Sequence, residues 1–384
     1  MTHQDSIVYL DNNATTALAP ECVAPVLACL RDVYGNPSSK HAAGARAKER
    51  VEQARAAVAR LLNAAPAEIV FTANGTEANH LAIRGALAAS PGKPHVVVSA
   101  VEHPSNLRLL AHLQTDGVRV TQLPVNREGG LDLAALERAI TPDTALVSLM
   151  WANNETGVLF PIAEAARIAK SKGVLFHTDA VQAAGKIPLD LAQVPVDLLS
   201  LSGHKFHAPK GVGALFIRKG MKLQPMLFGH QERGRRGGTE NVPAIVGMGL
   251  ACELAASELE AKAAATAALR DRLESGLLAR IPIARINGGT APRVANTSSV
   301  RFGELAAEAI LDKLDRAGIC AASGAACTAG GSAPSHVLVA MGLSEAEALA
   351  TIRFSLSRYT TAAEIDHVID VLASTVKRMT AEAA

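Results

Sequence analysis

Short runs of β-branched and other apolar residues alternate with amphipathic segments through the first two thirds of the chain. The runs predict strands at Glu68–Thr72, His95–Ser99, Val118–Leu123, Ala145–Met150, Val174–Thr178, Val196–Leu201 and Val212–Ile217. The segments between them predict helices that include Thr76–Ala89, Ser105–Thr115, Leu131–Ile140 and Pro161–Lys172. This alternation is typical of an α/β fold with a mainly parallel seven-stranded sheet covered by helices on both faces.

The pattern changes after Gly237 and Gly238. It then predicts helices and short strands in mixed order: a long helix over 242–278, strands at 285–286, 297–302 and 318–322, and helices over 304–317 and 362–379. Single cores stop growing near about 250–300 residues, so a chain of 384 residues should divide into two lobes. We expect a large domain over 15–259 and a smaller α+β domain formed by 1–14 and 260–384.

The composition gives no reason to expect a nucleic-acid or membrane partner, because the net charge is only +2 and aromatic residues make up 3% of the chain. Five cysteines without a CxxC pair do not make a disulfide framework. The first residues lack the basic and apolar regions of a signal peptide, and the apolar run 244–256 is too short to span a bilayer. We therefore expect a cytoplasmic protein.

A lysine follows one predicted strand and an acid ends another. Ser202-Gly-His-Lys205 comes directly after the run 196–201, and Asp179 ends the run that begins at Val174. Pyridoxal phosphate needs a Schiff-base lysine and an acid that holds its pyridinium nitrogen. A lone loop lysine is usually only solvated, but the serine and histidine beside Lys205 and the strand-end acid favour a cofactor site beyond the carboxyl ends of the strands.

Asn74-Gly75-Thr76-Glu77 opens a predicted helix directly after a strand. The free N–H groups of a helix N-terminus and a threonine hydroxyl form a site for an anion such as the cofactor phosphate. Taken alone, Thr76 would more simply be the N-cap of the helix. Ser202 and His204 supply further donors, and together these residues favour phosphate binding.

Three more polar side chains follow predicted strands. His103 could stack on the pyridine ring and move protons, or could be an exposed histidine in a helix-capping loop. Asn154, in a turn-like Asn153-Asn-Glu-Thr-Gly157 stretch, offers a neutral hydrogen bond to a substrate carboxylate or to the cofactor. Gln182, three residues after Asp179 on the same predicted helical face, could reach the phenolic oxygen of the cofactor.

Small and flexible residues surround Cys327 in the stretch 322–331. Buried structural cysteines normally lie in apolar periodic patterns, as Cys29 and Cys252 do. A loop cysteine is instead placed where a nucleophile can travel to its target.

Together these stretches resemble the cysteine desulfurases of the class V aminotransferase group, and the resemblance covers essentially the whole chain. The matching motifs are Tyr9-Leu-Asp-Asn-Asn-Ala-Thr-Thr16, Asn74-Gly-Thr-Glu-Ala-Asn79, Glu102-His103, Asn153-Asn-Glu-Thr-Gly157, His177-Thr-Asp-Ala-Val-Gln182, Ser202-Gly-His-Lys205, Arg236-Gly-Gly-Thr-Glu-Asn241, the Cys327 loop with Pro334-Ser-His336, and Arg353-Phe-Ser-Leu-Ser-Arg358. The Cys327 loop is similar to that of the long-loop subgroup, which includes NifS and IscS. The start Asp11-Asn-Asn13 and the run Gly229–Arg236 are more similar to NifS.

The resemblance implies a type I fold of pyridoxal-phosphate-dependent transferases and a role for each matching residue. Lys205 would hold the cofactor covalently, Asp179 would pair with the pyridinium nitrogen, His103 would stack on the ring, and Gln182 would bond the phenolic oxygen. The phosphate would be bound by Gly75, Thr76, Ser202, His204 and, from the second subunit of a homodimer, Thr239. The substrate carboxylate would be bound by Asn154 and Arg353, with Asn13 nearby.

The resemblance also implies the reaction and its partners. L-Cysteine would be converted to L-alanine with a persulfide on Cys327, and the sulfur would pass to an Fe–S scaffold of the NifU or IscU type, with nitrogenase maturation as one use of the cluster. The free enzyme would hold no metal, although Cys327 could contact a nascent Fe–S cluster. A plain transaminase has no need of Cys327. Selenocysteine lyase activity and sulfur donation to tRNA thiolation stay open, and a non-enzymatic sulfur-relay scaffold is disfavoured because Lys205, Asp179 and Cys327 are all present.

Overall fold

The computed structural model describes residues 7–324 and 333–383 of the chain. The strands are β1 (Val8–Tyr9), β2 (Ile69–Thr72), β3 (His95–Ser99), β4 (Arg119–Leu123), β5 (Thr144–Met150), β6 (Leu175–Asp179), β7 (Leu198–Ser202), β8 (Gly213–Ile217), β9 (Ala284–Ile286), β10 (Thr297–Phe302), β11 (Ile319–Cys320), β12 (Ala322–Ser323) and β13 (Thr351–Ser355). The helices are α1 (Pro20–Asp32), α2 (Ala42–Leu61), α3 (Gly75–Ala89), α4 (Pro104–Thr115), α5 (Leu133–Ala139), α6 (Ile162–Ser171), α7 (Val242–Arg280), α8 (Ala307–Arg316), α9 (His336–Ala340), α10 (Glu345–Leu349) and α11 (Ala362–Ala383).

A seven-stranded sheet in the order β2-β8-β7-β6-β5-β3-β4 confirms the main prediction of the hydrophobic pattern. The neighbours from β7 to β4 pair in parallel, and only β8 and β2 run antiparallel to their neighbours. The central strands are buried along their whole length, because helices cover both faces of the sheet. Their carboxyl ends therefore meet at one edge, where ligands bind in folds of this kind.

A four-stranded antiparallel sheet, β12-β13-β10-β9, forms the centre of the second region. The single strand predicted over 318–322 is wrong in detail, because the segment forms two short strands. Ile319 of β11 pairs in parallel with Val8 of β1, whereas Ala322 of β12 pairs with Arg353 of β13. The apolar run therefore forms two strands because its two halves pair with different strands.

The 39-residue helix α7 packs against both regions of the protein. Its first half contacts α1 and α2, and its second half contacts α11 and β9. The apolar core around the large sheet takes residues of α7 up to Ala255, and a separate core begins at Leu273. The two cores do not follow chain order. Leu10, near the start of the chain, packs in the second core, and Leu338, near its end, packs in the first core. The domain boundaries given above stay a prediction.

Of the helices in the described part of the chain, only α7 is long and apolar enough to cross a membrane by length and composition. The helix continues well past the apolar run 244–256 from which its length was judged. Half of the apolar window is buried inside the protein, as is usual for a core helix.

Candidate active site

A cavity of about 330 Å³ opens at the carboxyl ends of the parallel strands. It collects all the predicted site residues except Thr239 and Cys327: Asn13, Gly75, Thr76, His103, Asn154, Asp179, Gln182, Ser202, His204, Lys205 and Arg353. Most of them stand where a strand gives way to a turn or helix, which is why separated stretches of sequence meet here. Arg353 instead comes from β13 of the second sheet, so the cavity lies where the two regions meet.

Asp179 ends β6 beside Met150 of β5 and Ser200 of β7. Its carboxylate is buried and accepts two hydrogen bonds, from Asn79 Nδ2 at 2.7 Å and from the main-chain N–H of Val181 at 3.0 Å. An ionised carboxylate has about four acceptor positions, so capacity remains for a cationic N–H in the cavity. This arrangement fits an acid that holds a pyridinium nitrogen.

The role of Asn79 was missed by the sequence reasoning. Asn79 lies on α3 one turn after Gly75, and its amide reaches Asp179 across the sheet edge. Asn79 ends one of the motifs that match the family, but no role was predicted for it. Helical spacing, which places Asn79 and Gly75 on one face of α3, could have indicated that it reaches the cavity.

His103 is the N-cap of α4. Its Nδ1 accepts the main-chain N–H of Ser105 at 3.1 Å and lies 2.8 Å from the Ser105 hydroxyl. Burial lowers the pKa of His103 despite the nearby Asp179 carboxylate, and the Lys205 cation lowers it further. The imidazole is therefore neutral near pH 7. Because Nδ1 accepts, the ring proton is on Nε2, where it can be given or regained. The alternative of a merely exposed capping histidine does not apply, since His103 lines the cavity.

The turn from β2 to α3 and the end of β7 form one end of the cavity. Asn74, not Thr76, is the N-cap of α3, since its side chain accepts the Glu77 N–H at 2.9 Å. The simpler interpretation of Thr76 as a cap is therefore wrong, and the residue lines the cavity. A Cβ atom at Gly75 would lie 2.9 Å from Val181 and 3.2 Å from the Ser202 Cβ. Glycine thus allows the close approach of this turn to β7.

The hydroxyl of Ser202 is buried and has no hydrogen-bond partner among the described residues. An unpaired buried hydroxyl is costly, and a phosphate oxygen would satisfy it. His204 stands beside it; burial, followed by the Lys205 and Lys210 cations, lowers its pKa to about 4, so the ring is neutral. Together with the N-terminus of α3, these groups fit the phosphate of pyridoxal phosphate.

Lys205 ends the 3-10 turn Gly203–Lys205 that follows β7. Its Nζ donates to the main-chain oxygens of Asn13 at 2.6 Å and Ala14 at 2.8 Å. The N-terminal segment thus holds the amine in the same cavity as Asp179. This position fits a lysine that forms a Schiff base with the cofactor.

The other end of the cavity is formed by Arg353, Asn154 and Asn13. Arg353 is buried; its Nη1 donates to the main-chain oxygen of Asn154 at 3.1 Å and its Nη2 to Asp11 Oδ1 at 2.7 Å. Its Nε is buried and has no partner among the described residues. Asn13 Nδ2 donates to the main-chain oxygen of Asn154 at 3.1 Å and to Thr297 Oγ1 at 2.8 Å. The Arg353–Asp11 pair, which joins distant parts of the chain, was not predicted.

Cys327 lies outside the described residues. The chain that precedes residue 325 and the chain that follows residue 332 both contact residues of the cavity or their neighbours in sequence. Ala322 pairs with Arg353 in the second sheet. After the gap, the Ser335 hydroxyl donates to the Glu155 carboxylate, next to Asn154 in sequence.

Thr239 is exposed and lines a different cavity of the same chain. Its loop is tied to the first turn of α3, since Arg236 Nε donates to Glu77 Oε1 at 2.8 Å. The predicted contribution of Thr239 to a second subunit's phosphate site stays a prediction.

Two buried carboxyl groups next to the site lie in the motifs quoted from the sequence, but no role was predicted for either. Burial raises the pKa of Glu102 to about 7 although Ser99 and the Met150 N–H donate to it. Burial likewise raises the pKa of Glu155 to about 7, against the hydrogen bond from Ser335. The position of Glu102 and Glu155 after predicted strands does not show that their side chains are buried.

The aminotransferase class-V family model matches residues 8–368. The cysteine desulfurase of Trichormus azollae is 52% identical over 377 residues, which cover 98% of this chain and 94% of that protein. The cysteine desulfurase NifS of Azotobacter vinelandii is 49% identical over 364 residues, which cover 94% and 90% of the two chains. A solved NifS-like protein superposes with a TM-score of 0.90 at 37% identity, over 97% of this chain and all of that one.

These likenesses agree with the cavity, and they confirm the predicted type I fold and the predicted cofactor, pyridoxal phosphate. The chain therefore belongs to the aminotransferase class-V family, among its pyridoxal-phosphate-dependent cysteine desulfurases.

Proposed function

We propose that the protein converts L-cysteine to L-alanine and takes the sulfur onto Cys327 as a persulfide. The observation that carries this proposal is the single cavity that joins Lys205 and Asp179 to Arg353. One end of that cavity suits the cofactor, and the other has a guanidinium suited to an amino-acid carboxylate. The chain on either side of the Cys327 segment is held at that second end.

The residues that line the cavity have separate roles in this reaction. Ser202, Thr76 and the N–H of Gly75 would bind the phosphate of the cofactor, and Asp179 would hold the N–H of its ring nitrogen. Bound pyridoxal phosphate supplies the electron sink for the pair left at the substrate Cα.

Lys205 removes the Cα proton as a base, and the neutral His103 is placed to hold or return a proton at Nε2. Arg353 and the Asn154 side chain hold the substrate carboxylate.

The sulfur transfer needs no external oxidant. The Cys327 thiolate attacks the substrate sulfur, because the thiolate is the nucleophilic form. A bond forms between the two sulfur atoms, the bond from the substrate Cβ to sulfur breaks, and Cβ takes up a proton. One cysteine and one thiol thus give one alanine and one persulfide.

The persulfide would serve Fe–S cluster assembly in the cytoplasm, through a scaffold of the NifU or IscU type that Cys327 would meet together with a nascent cluster. The similarity to relatives that include a protein named NifS supports this use of the sulfur. The same similarity is the support for a role in nitrogenase maturation. The active form would be a homodimer in which Thr239 completes the partner's phosphate site. Sedimentation of a fully active monomer would contradict that assembly.

The test of the main proposal uses the purified holoenzyme with L-cysteine and a reducing thiol. We expect alanine and sulfide in equal amounts. Without the thiol, we expect one sulfane sulfur on the peptide that contains Cys327 by mass spectrometry. Alanine without sulfide, or a persulfide on a different cysteine, would overturn the proposal. A parallel assay with L-selenocysteine separates a desulfurase from a selenocysteine lyase, since a much larger kcat/KM for selenocysteine would favour the lyase.

A further inference from the structure

A second lysine contacts two residues that are predicted to bind the cofactor or the substrate. Lys186 ends the turn that follows β6, four residues after Gln182, and its side chain is half-buried. Its Nζ donates to Gln182 Oε1 at 2.6 Å and to Asn13 Oδ1 at 3.0 Å. It also lines a small cavity of about 70 Å³ that shares Lys205 with the main cavity. Lys186 thus joins one residue at each end of the site.

The orientation of both amides follows from their other partners. Gln182 Nε2 donates to the main-chain oxygen of Asn13 at 3.0 Å, and Asn13 Nδ2 donates to the main-chain oxygen of Asn154 at 3.1 Å. A carbonyl oxygen can only accept, so each amide must turn its nitrogen toward that oxygen. Their own oxygens then face Lys186, which has N–H donors for both. Each amide is therefore held at both ends.

Lys186 has no carboxylate partner among the ion pairs of the described residues. Burial, followed by the Lys205 and Arg353 cations, lowers its pKa well below the ordinary value for lysine. The two amide oxygens are the hydrogen-bond acceptors that fix its position. An ordinary surface lysine would instead pair with an acid or extend into solvent.

We infer that Lys186 is a positioning residue that holds the Gln182 amide with its NH₂ group toward the cofactor's phenolic oxygen. Together with Asn296, whose Nδ2 also donates to Asn13 Oδ1 at 3.1 Å, it fixes the Asn13 amide at the substrate end. This inference rests on the predicted contact between Gln182 and the cofactor. Without Lys186, the Gln182 oxygen loses its donor and only the main-chain oxygen of Asn13 still orients the amide. The NH₂ group is then held less firmly toward the phenolic oxygen and donates to it more weakly. Lys186 itself does not need to touch the cofactor.

The test compares the purified holoenzyme with its Lys186→Met, Gln182→Ala and double variants. Lys262→Met is the matched control, because Lys262 lines the same small cavity but is exposed and has no hydrogen bond to Gln182 among the described residues. The measurement is the pH titration of the cofactor's visible absorption band. Thermal unfolding of each cofactor-free protein reports structural damage separately.

A donor to the phenolic oxygen stabilises its anionic form and so weakens proton binding at the adjacent Schiff-base nitrogen. We expect Lys186→Met and Gln182→Ala each to raise the titration midpoint by about 0.5–1 pH unit. The double variant should shift no further than the larger single change, because both act through one contact. Lys262→Met should leave the midpoint unchanged.

An unchanged midpoint in Lys186→Met, with a shift in Gln182→Ala, would overturn the role of Lys186 alone. An unchanged midpoint in Gln182→Ala would overturn the Gln182 contact and this inference with it, while the desulfurase assay would still report on the proposed function. If Lys186→Met does not yield folded holoenzyme, Lys186→Gln takes its place. The same upward shift is expected there, since the shorter amide cannot reach both oxygens, and an unchanged midpoint would count against the inference.

Discussion

Asn79 donates a hydrogen bond of 2.7 Å to Asp179 across the edge of the large sheet, and both side chains are buried. The bond fixes the position of the Asp179 carboxylate at the edge of the cavity. A pyridinium N–H in the cavity would be held by the carboxylate oxygens that this bond positions. The strength of the electron sink is therefore linked to an amide on α3 that never needs to touch the cofactor.

Asn79→Ala should lower kcat by roughly tenfold, which corresponds to the loss of one hydrogen bond to a charged group, about 1.5 kcal/mol. KM for cysteine should change little, since the substrate end of the cavity is untouched. Steady-state kinetics with the absorption spectrum of the bound cofactor would check both. Asn106→Ala is a control on the neighbouring helix α4, where the buried amide donates to Glu102 instead. An equal fall in kcat in both variants would point to general damage.

Lys205→Ala should abolish turnover, because the amine that moves the Cα proton is lost, while cofactor still binds through its phosphate contacts. The bound cofactor should then be removable by dialysis and no longer fixed by borohydride. Lys210→Ala, five residues further on and exposed, is the matched control and should keep both properties. Normal alanine production by the Lys205 variant would mean that a different lysine holds the cofactor.

Arg353→Ala should raise KM for cysteine roughly ten- to a hundredfold, since a guanidinium–carboxylate contact contributes about 1.5–3 kcal/mol. In the structure the Arg353 guanidinium pairs with Asp11 at 2.7 Å, so substrate must compete with that carboxylate. Asp11→Asn should therefore lower KM or leave it unchanged. Cysteine titrations followed through the cofactor spectrum measure both effects. A raised KM in Asp11→Asn would show that Asp11 instead orients the guanidinium for substrate.

Glu155 should make the protein less stable as the pH rises. Its folded-state pKa of about 7 lies above the ordinary glutamate value of 4.5, so between these values the folded state binds more protons than the unfolded state. The contribution to stability is complete below about pH 4.5 and is lost as the pH rises through 7.

Glu155→Gln keeps an acceptor for the Ser335 hydroxyl but cannot ionise. Relative to the parent protein, this variant should gain stability between pH 5 and pH 8, by up to roughly 3 kcal/mol. Denaturant unfolding of the cofactor-free proteins at both pH values gives the difference. A constant difference across that range would mean that Glu155 is already ionised at pH 5.

The sheet and its ligand edge could be predicted because both depend on local sequence. Buried parallel strands such as His95–Ser99 read as continuous β-branched runs, and strand ends such as Asp179 show where polar side chains collect. The contacts that the sequence did not reveal join distant residues. Arg353 meets Asp11, and the run around Ile319 divides between two partner strands. Such pairings depend on the folded arrangement of the chain, which no local pattern reports.

β13 was missed for a related reason. All five of its residues, Thr351–Ser355, are buried, so the alternation of Ile352 and Phe354 with polar neighbours does not mark one solvent face. Polar side chains inside the second sheet serve the substrate end of the cavity and the contact with β12. A short strand with buried polar residues does not match either the alternating or the continuous hydrophobic pattern of strands.

Cys327→Ala should separate the two halves of the reaction. Cofactor binding and the spectral response to added cysteine should survive, because Lys205, Asp179 and the phosphate donors are unchanged. Sulfide and persulfide formation should fail, because no thiolate remains to take the substrate sulfur. Assays of alanine and sulfide, with mass spectrometry of the protein, measure the two halves independently.

The other cysteines should not rescue this variant. Cys22 and Cys29 are buried in α1 and Cys252 is buried in α7, and burial raises the pKa of all three thiols, that of Cys22 to about 11. Cys320 is partly exposed but is fixed in β11, and burial raises its pKa as well. A thiol with a raised pKa has little thiolate at neutral pH. Cys320→Ala is therefore the matched control and should retain full sulfide release. If the Cys327 variant released sulfide as fast as this control, the transfer of sulfur through Cys327 would be excluded.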